Sequence, residues 1–184
     1  IIGNFPNLLK VVVLVKNFFL VCVLIGFNGT DGIPGTGGGG YLEIRKGAKV
    51  RFEGKAKFGR GNTIRIGGHF HVGEGFWSNV NCFFSCNHEI IIGKDTLLAW
   101  NVNIRDSDNH TVLIDGCESN KDKSVLIGKH CWLCAYSDIL KGVSVPDGSI
   151  VAYRSCITRS LTEKNILIGG IGGTILKHNV EWKR

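Results

Sequence analysis

The stretch from Asn101 to Gly116, NVNIRDSDNHTVLIDG, sets Asp106, Asp108 and Asp115 around one histidine, His110. An unperturbed histidine titrates near about pH 6.5, so it is available as a neutral base at pH 7. A neighbouring carboxylate can fix its tautomer and stabilise the imidazolium that forms when it takes a proton. This chemistry suits a general base that deprotonates a hydroxyl attacking an acyl carbonyl, with no covalent enzyme intermediate. The developing oxyanion would call for a backbone N–H or a polar side chain. Asp108 stands two residues before His110 and faces the same way if the segment is extended. Spacing alone leaves open which aspartate assists. The plain alternative is a solvated loop histidine.

The flanking sequence indicates what must hold this loop. Stepping by six from Ile127 lands on Leu133, Ile139, Val145, Val151 and Ile157, all aliphatic. Four positions after each of the first five stand Cys131, Ser137, Val143, Ser149 and Ser155, all small or β-branched. A rougher set runs Ile66, Val72, Ser78, Phe84, and a third runs Ile92, Leu98, Ile104. Period six is neither the 3.6 of a helix nor simple alternation. It suits a short strand followed by a corner, with one inward aliphatic per side. Three sides make a triangular coil, and coils stack at the strand spacing of about 4.7–4.9 Å. The hexads stop after Ile104 and resume near Ile127, so a loop leaves the coil between them. Loops on rigid scaffolds often carry chemistry.

The composition agrees with an all-β globular chain. Of 184 residues, 43% are hydrophobic and 20% charged, with 26 Gly and only 3 Pro. The net charge of +7 favours an anionic partner or a merely solvated basic surface. No basic block with interleaved aromatics supports nucleic acid. Seven cysteines make an odd count. Most sit in apolar strand-like runs, as buried free thiols do, which points to a reducing, cytoplasmic setting. Cys131 and Cys134 form a CxxC, but on a strand-like run where a metal knuckle or redox pair would need a turn. The apolar stretch Val11–Phe27 is interrupted by Lys16 and Asn17. It reads as a buried cap or a peripheral membrane contact more readily than as a span. A Gly-rich connector, Asp31–Gly40, follows it.

The run SVLIGKHCWLCAYSDILKGVSVPDGSIVAYRSCITRS resembles the hexapeptide-repeat acyltransferases, and the resemblance covers about Leu42 to Trp182. LLAWNVNIRDSDNHTV is similar to the subgroup that O-acetylates sugars and polysaccharides, as is the closing NILIGGIGGTILKHNVEW. The resemblance implies a left-handed parallel β-helix of hexapeptide repeats with an apolar N-terminal segment and a short C-terminal tail. The expected division is residues 1–40 as the N-terminal segment and connector, 41–165 as the β-helix, and 166–184 as the tail. The loop would occupy about 105–124. The resemblance further implies acetyl-CoA as co-substrate, a saccharide acceptor, no metal, and a homotrimer with sites between subunits.

Residue by residue, the resemblance makes His110 the general base, with Asp108 its expected helper. FWSNVN marks Asn79 as an acceptor-site candidate with Trp77 beside it, although Asn79 could instead satisfy a corner. Trp132 matches a tryptophan that lies beside the coenzyme A channel. Arg154 and Arg159 are candidates for the coenzyme's phosphates. The chain departs from the family pattern at Leu133–Cys134 and at Ala152–Tyr153–Arg154–Ser155, where Tyr153 is large enough to obstruct the donor path. The alternatives are a non-catalytic or donor-altered β-helix binding protein and a zinc-dependent hydratase of the same fold. The hydratase would draw on His69, His71, His88, His110 and His130, although the close histidine pair it needs is absent.

Overall fold

Each short strand alternates inward and outward residues. In Thr63–Ile66, Ile64 and Ile66 are buried while Thr63 and Arg65 are half-buried. Strands this short bury too little to stand alone, so they stack. The computed structural model describes residues 2–5, 9–14, 20–27 and 39–184, with side chains before Gly39 described only for Val23 and Ile25. Among these residues all regular structure is strand, and no helix is long and apolar enough to cross a membrane.

The strands form three faces of a parallel solenoid. The first carries Gly40–Ile44, Thr63–Ile66, Phe83–Cys86, Asn103–Arg105, Asp138–Ile139 and Cys156–Ile157. The second carries Lys49–Phe52, His69–Val72, Glu89–Ile92, Val125–Ile127 and Ser144–Val145. The third carries Ala56–Gly59, Phe76–Ser78, Leu97–Leu98, Trp132–Leu133, Ile150–Val151 and Leu167–Gly169. Pairing puts Leu42, Ile64, Phe84, Ile104, Ile139 and Ile157 in one inward column. The expected parallel β-helix is therefore present. Every inward hexad position named above, Ser78 included, is buried.

Two classes of coil explain why the early hexads are rough. The column advances twenty residues from Ile64 to Phe84 and again to Ile104, but eighteen from Ile139 to Ile157. The longer coils have strands of up to four residues on their first two faces and an interior that Phe58, Phe70, Phe76 and Phe84 fill with ring centroids 5.1–6.3 Å apart. Valine, isoleucine and leucine suffice in the shorter coils.

At one end, Leu20–Phe27 pairs in parallel with Ala56–Gly59 and buries Val23 and Ile25. This part of the apolar N-terminal stretch covers the first coil as a strand. Residues 15–19 and nearly all of the Gly-rich connector lie outside the described residues. At the other end, Leu167–Gly169 pairs in parallel with Ile150–Val151, and Ile166 and Ile168 are fully buried. The solenoid thus reaches into the segment expected to be tail, because these two isoleucines continue the inward columns. Within that segment, Thr174–Lys177 turns antiparallel against Leu167–Gly169.

Candidate active site

The chain leaves the solenoid at Asp106 and returns at Lys123, whose N–H donates to the Asp106 carbonyl at 3.0 Å. This bond closes the neck of the loop. The Asp106 side chain is fully buried. Its two carboxylate oxygens accept the backbone N–H groups of Asn87 and His88, each at 2.8 Å. Asp106 is therefore a fixed anchor between adjacent coils, both of its oxygens taken by backbone N–H groups. Asn109, at a positive φ of 60°, accepts a 2.8 Å bond from the Asn87 amide, which ties the loop to the same corner. Beyond the neck the loop forms a small hairpin, Leu113–Ile114 against Cys117–Glu118. Asp115 and Gly116 supply the two positive-φ residues that such a tight turn requires.

His110 is exposed and lines a polar cleft of about 470 Å³ with Asn87, Ser107, Glu118, Asn120 and Lys121. The sequence-based expectation paired Asp108 with His110, but Asp108 has other partners. Its carboxylate accepts from Lys141 Nζ and, at 2.8 Å, from the Asn120 amide. Lys141 first and Asn120 second hold the Asp108 carboxyl below the usual aspartate range. The Asn120 amide also donates to the His110 carbonyl at 2.7 Å, while its oxygen accepts the Val112 N–H at 2.6 Å. Asp108 thus acts on the histidine's backbone through Asn120. Reading the sequence missed Asn120 and Lys141. Asn120 lies in no motif, and Lys141, although inside the quoted hexad run, reaches Asp108 across thirty-three positions.

A second cleft, of about 500 Å³, runs along the third face. Trp77, Asn79, Leu97, Trp100 and Trp132 line it, with Lys183 and Arg184 at its rim. Trp77, Leu97 and Trp132 form one outward column on consecutive strands. Asn79 is buried and its side-chain oxygen accepts the Val80 N–H at 2.8 Å. The corner's left-handed residue is Asn81, at φ 58°, so Asn79 is not the residue that turns the chain. The structure therefore brings Trp77, Asn79 and Trp132 together, and leaves His110 in the other cleft.

Two donor-site candidates lie outside both linings. Arg154 stands at an exposed corner, 5.5 Å from the Tyr136 ring centroid and 5.4 Å from that of Tyr153. Arg159 donates from Nε to the Gly173 carbonyl at 3.0 Å, which ties down the tail. Tyr153, expected to crowd the donor path, packs edge-on against Tyr136 and is not among the residues lining the groove.

The cysteines described are all free. Burial pushes the thiols of Cys82 and Cys131 up to about 12 and that of Cys134 up to about 11. Burial also raises Cys86 to about 12, helped by the Asp106 charge. Such thiols are poor nucleophiles and ligands. Among the described residues no three His, Cys, Asp or Glu side chains converge as a metal site.

No protein-family profile matches the chain. Sequence relatives do. A Dictyostelium discoideum protein that carries an acetyltransferase name is 33% identical over 121 residues, 62% of each chain. The galactoside O-acetyltransferase of Escherichia coli is 24% identical over 113 residues, 60% of this chain and 55% of that one. The polysialic acid O-acetyltransferase of Neisseria meningitidis is 45% identical over 56 residues, 29% of this chain and 26% of that one. The chain thus spans less than two thirds of the length of these relatives. Among solved structures, a maltose O-acetyltransferase from Clostridium difficile superposes with a TM-score of 0.51 at 23% identity, covering 76% of this chain and 70% of that one. A polysialic-acid-specific acetyltransferase gives 0.51 at 24% identity, covering 73% and 68%. At these identities the structural likeness is one of fold. In hexad pattern, solenoid architecture and sequence relatives alike, the chain is similar to the hexapeptide-repeat β-helical acyltransferases.

Proposed function

We propose that the chain is an O-acetyltransferase that moves an acetyl group from acetyl-CoA to a saccharide hydroxyl, with His110 as general base. One observation carries this reading: His110 stands exposed over a polar cleft, on a loop pinned at its neck and braced by Asn120. A rigidly presented imidazole is what proton removal from an incoming hydroxyl needs. The relatives named for acetyl transfer to galactosides and polysialic acid support the substrate class.

Acetyl-CoA would supply an acyl group on a thiolate that leaves readily. The groove on the third face fits its slender arm: Leu97 and Trp132 give an apolar wall and Trp100 a second aromatic surface. Arg154, on its exposed corner, would meet the phosphates. Arg159 is less suited, because Gly173 already engages its Nε. Asn79 and Trp77 would receive the acceptor at the other end of the groove. Since His110 lies in a separate cleft, one chain does not assemble the whole site. A homotrimer, which the resemblance implies, would present His110 of one copy to the groove of the next. Free, buried thiols suit a reducing cytoplasmic setting.

The test is thioester release from acetyl-CoA against a panel of saccharides, with wild type and His110→Ala. His110→Ala is expected to fold and to lose turnover by at least ~10²-fold. A near wild-type rate would remove His110 from the mechanism. If calorimetry detects no acetyl-CoA binding at millimolar ligand, the chain is a binding solenoid and not a transferase.

A further inference from the structure

We propose that the Trp77 end of the groove selects an anionic saccharide, its negative charge met by Arg184 and Lys57; this rests on the acetyl-transfer reading. The C-terminal tail makes the arrangement. Trp182 is only 7% exposed and stacks on His130 with centroids 4.3 Å apart and planes 8° from parallel. Its indole N–H donates to the His130 carbonyl at 2.8 Å. That anchor delivers Lys183 and Arg184 to the rim of a groove built by residues fifty or more positions earlier in the chain. Arg184 donates from Nη2 to the Gly75 carbonyl at 2.9 Å, and its guanidinium lies 5.6 Å from the Trp77 ring centroid. Lys57 approaches the same ring, with Nζ at 5.2 Å.

The lining of the groove at this end is one-sided in charge, with the nearby Asp95 carboxylate set against Gly75 and not among the lining residues. No aspartate or glutamate lines the groove. Among the described residues neither Arg184 nor Lys57 has a carboxylate partner, and Lys183 has only the exposed Glu181, at 3.8 Å. An indole holds a cation in place without neutralising its charge. An Arg guanidinium has five N–H donors in a planar fork, of which Gly75 takes one, so a bidentate partner still has room. Position separates this charge from the donor. Trp77 and Trp132 are two strands apart, about 10 Å at the usual strand spacing, and Lys57 and Arg184 stand at Trp77 while Trp182 packs 6.1 Å from the Trp132 ring. The ligand chemistry is therefore a saccharide bearing a carboxylate, or a phosphate next to its ring.

Calorimetry on the full chain tests this with four probes: an α2,8-linked sialic acid tetramer, its methyl ester, uridine diphosphate N-acetylglucosamine, and neutral maltotetraose. At least one anionic probe is expected to bind ten-fold or more tighter than the neutral ones, and which of the two does so identifies the anion. Arg184→Ala should erase most of that preference and Arg184→Glu all of it. Lys57→Ala should have a smaller effect, and acetyl-CoA affinity should change less than two-fold throughout. Equal affinity for charged and neutral probes overturns the proposal. So does Arg184→Ala weakening acetyl-CoA in place of the anionic sugar, which would reassign the cations to the donor and leave acetyl transfer standing. Selective anionic binding with no thioester release from any acceptor would keep the anion site and remove the transferase reading.

Discussion

The solenoid and the loop that leaves it are held by different forces. The coils stand on stacked apolar columns such as Leu42–Ile64–Phe84–Ile104, repeated on three faces and closed to water. The loop has almost no such burial. Val112, Leu113 and Ile114 are largely exposed, and its shape depends on the polar contacts of Asp106, Asn120, Asp108 and Lys141. Packing is non-directional and redundant, whereas a few hydrogen bonds fix an angle but fail when one partner is lost. The contrast explains how a small repeat protein can display one side chain with a set orientation while the rest of the chain needs only inward aliphatics.

Damage to the two regions should therefore read out differently. Phe84→Ala removes a ring that touches Phe58, Phe70 and Phe76. It should lower unfolding stability by about 3–5 kcal/mol in chemical denaturation; a loss below about 1 kcal/mol would mean that the column is not what holds the coils. Asp106→Ala removes a buried carboxylate and its two charge-assisted bonds from the part-buried N–H groups of Asn87 and His88. Its expected loss is about 3 kcal/mol, which would make the neck of the loop belong energetically to the solenoid. His110→Ala should do the reverse, leaving the melting curve in place while turnover falls ~10²-fold, or about 2.7 kcal/mol of barrier.

Smaller effects sharpen the comparison. Asn120→Ala frees the Val112 N–H and the His110 carbonyl at once, and kcat should fall roughly ten-fold with an unchanged melting temperature. A combined loss of stability and activity would show that the loop is not energetically separate. The smallest effect concerns pH. Lys141 and Asn120 depress the Asp108 pKa, so this latch is fully present above the ordinary aspartate value of 3.8 and is lost as pH falls through the lower folded value. Lys141→Ala should move that loss to higher pH, seen as earlier hydrogen exchange in residues 107–122 during acid titration. An unshifted profile would remove the latch from the account.

Much of this was legible beforehand, for reasons that differ by residue. The hexads from Ile127 to Ile157 mark inward positions because their coils keep a constant eighteen residues. The Ile66–Phe84 set is harder to read because its coils carry two more residues each and fill with phenylalanine. The break between Ile104 and Ile127 located the loop, and the residues quoted there include its anchor. The role of each aspartate was not legible. Asp106 and Asp108 are one residue apart on either side of Ser107, yet one is buried against Asn87 and His88 while the other meets Lys141 in the loop. Nor could Trp182 be distinguished from an ordinary tail tryptophan, since its partner His130 is fifty-two positions away.

By itself, the sequence determined the repeat, its inward residues, and the point at which a histidine leaves it. Each of these depends on neighbours within one short strand and one corner, so local spacing suffices. Tertiary structure alone decided which polar groups meet: Asp106 beneath Asn87, Asp108 against Lys141, Arg184 beside Trp77. Those meetings depend on how coils of unequal length register when stacked, and on where a tail some fifty residues downstream comes to rest. Stacking converts long separations in sequence into contacts of a few ångströms, and a local periodicity holds no record of it.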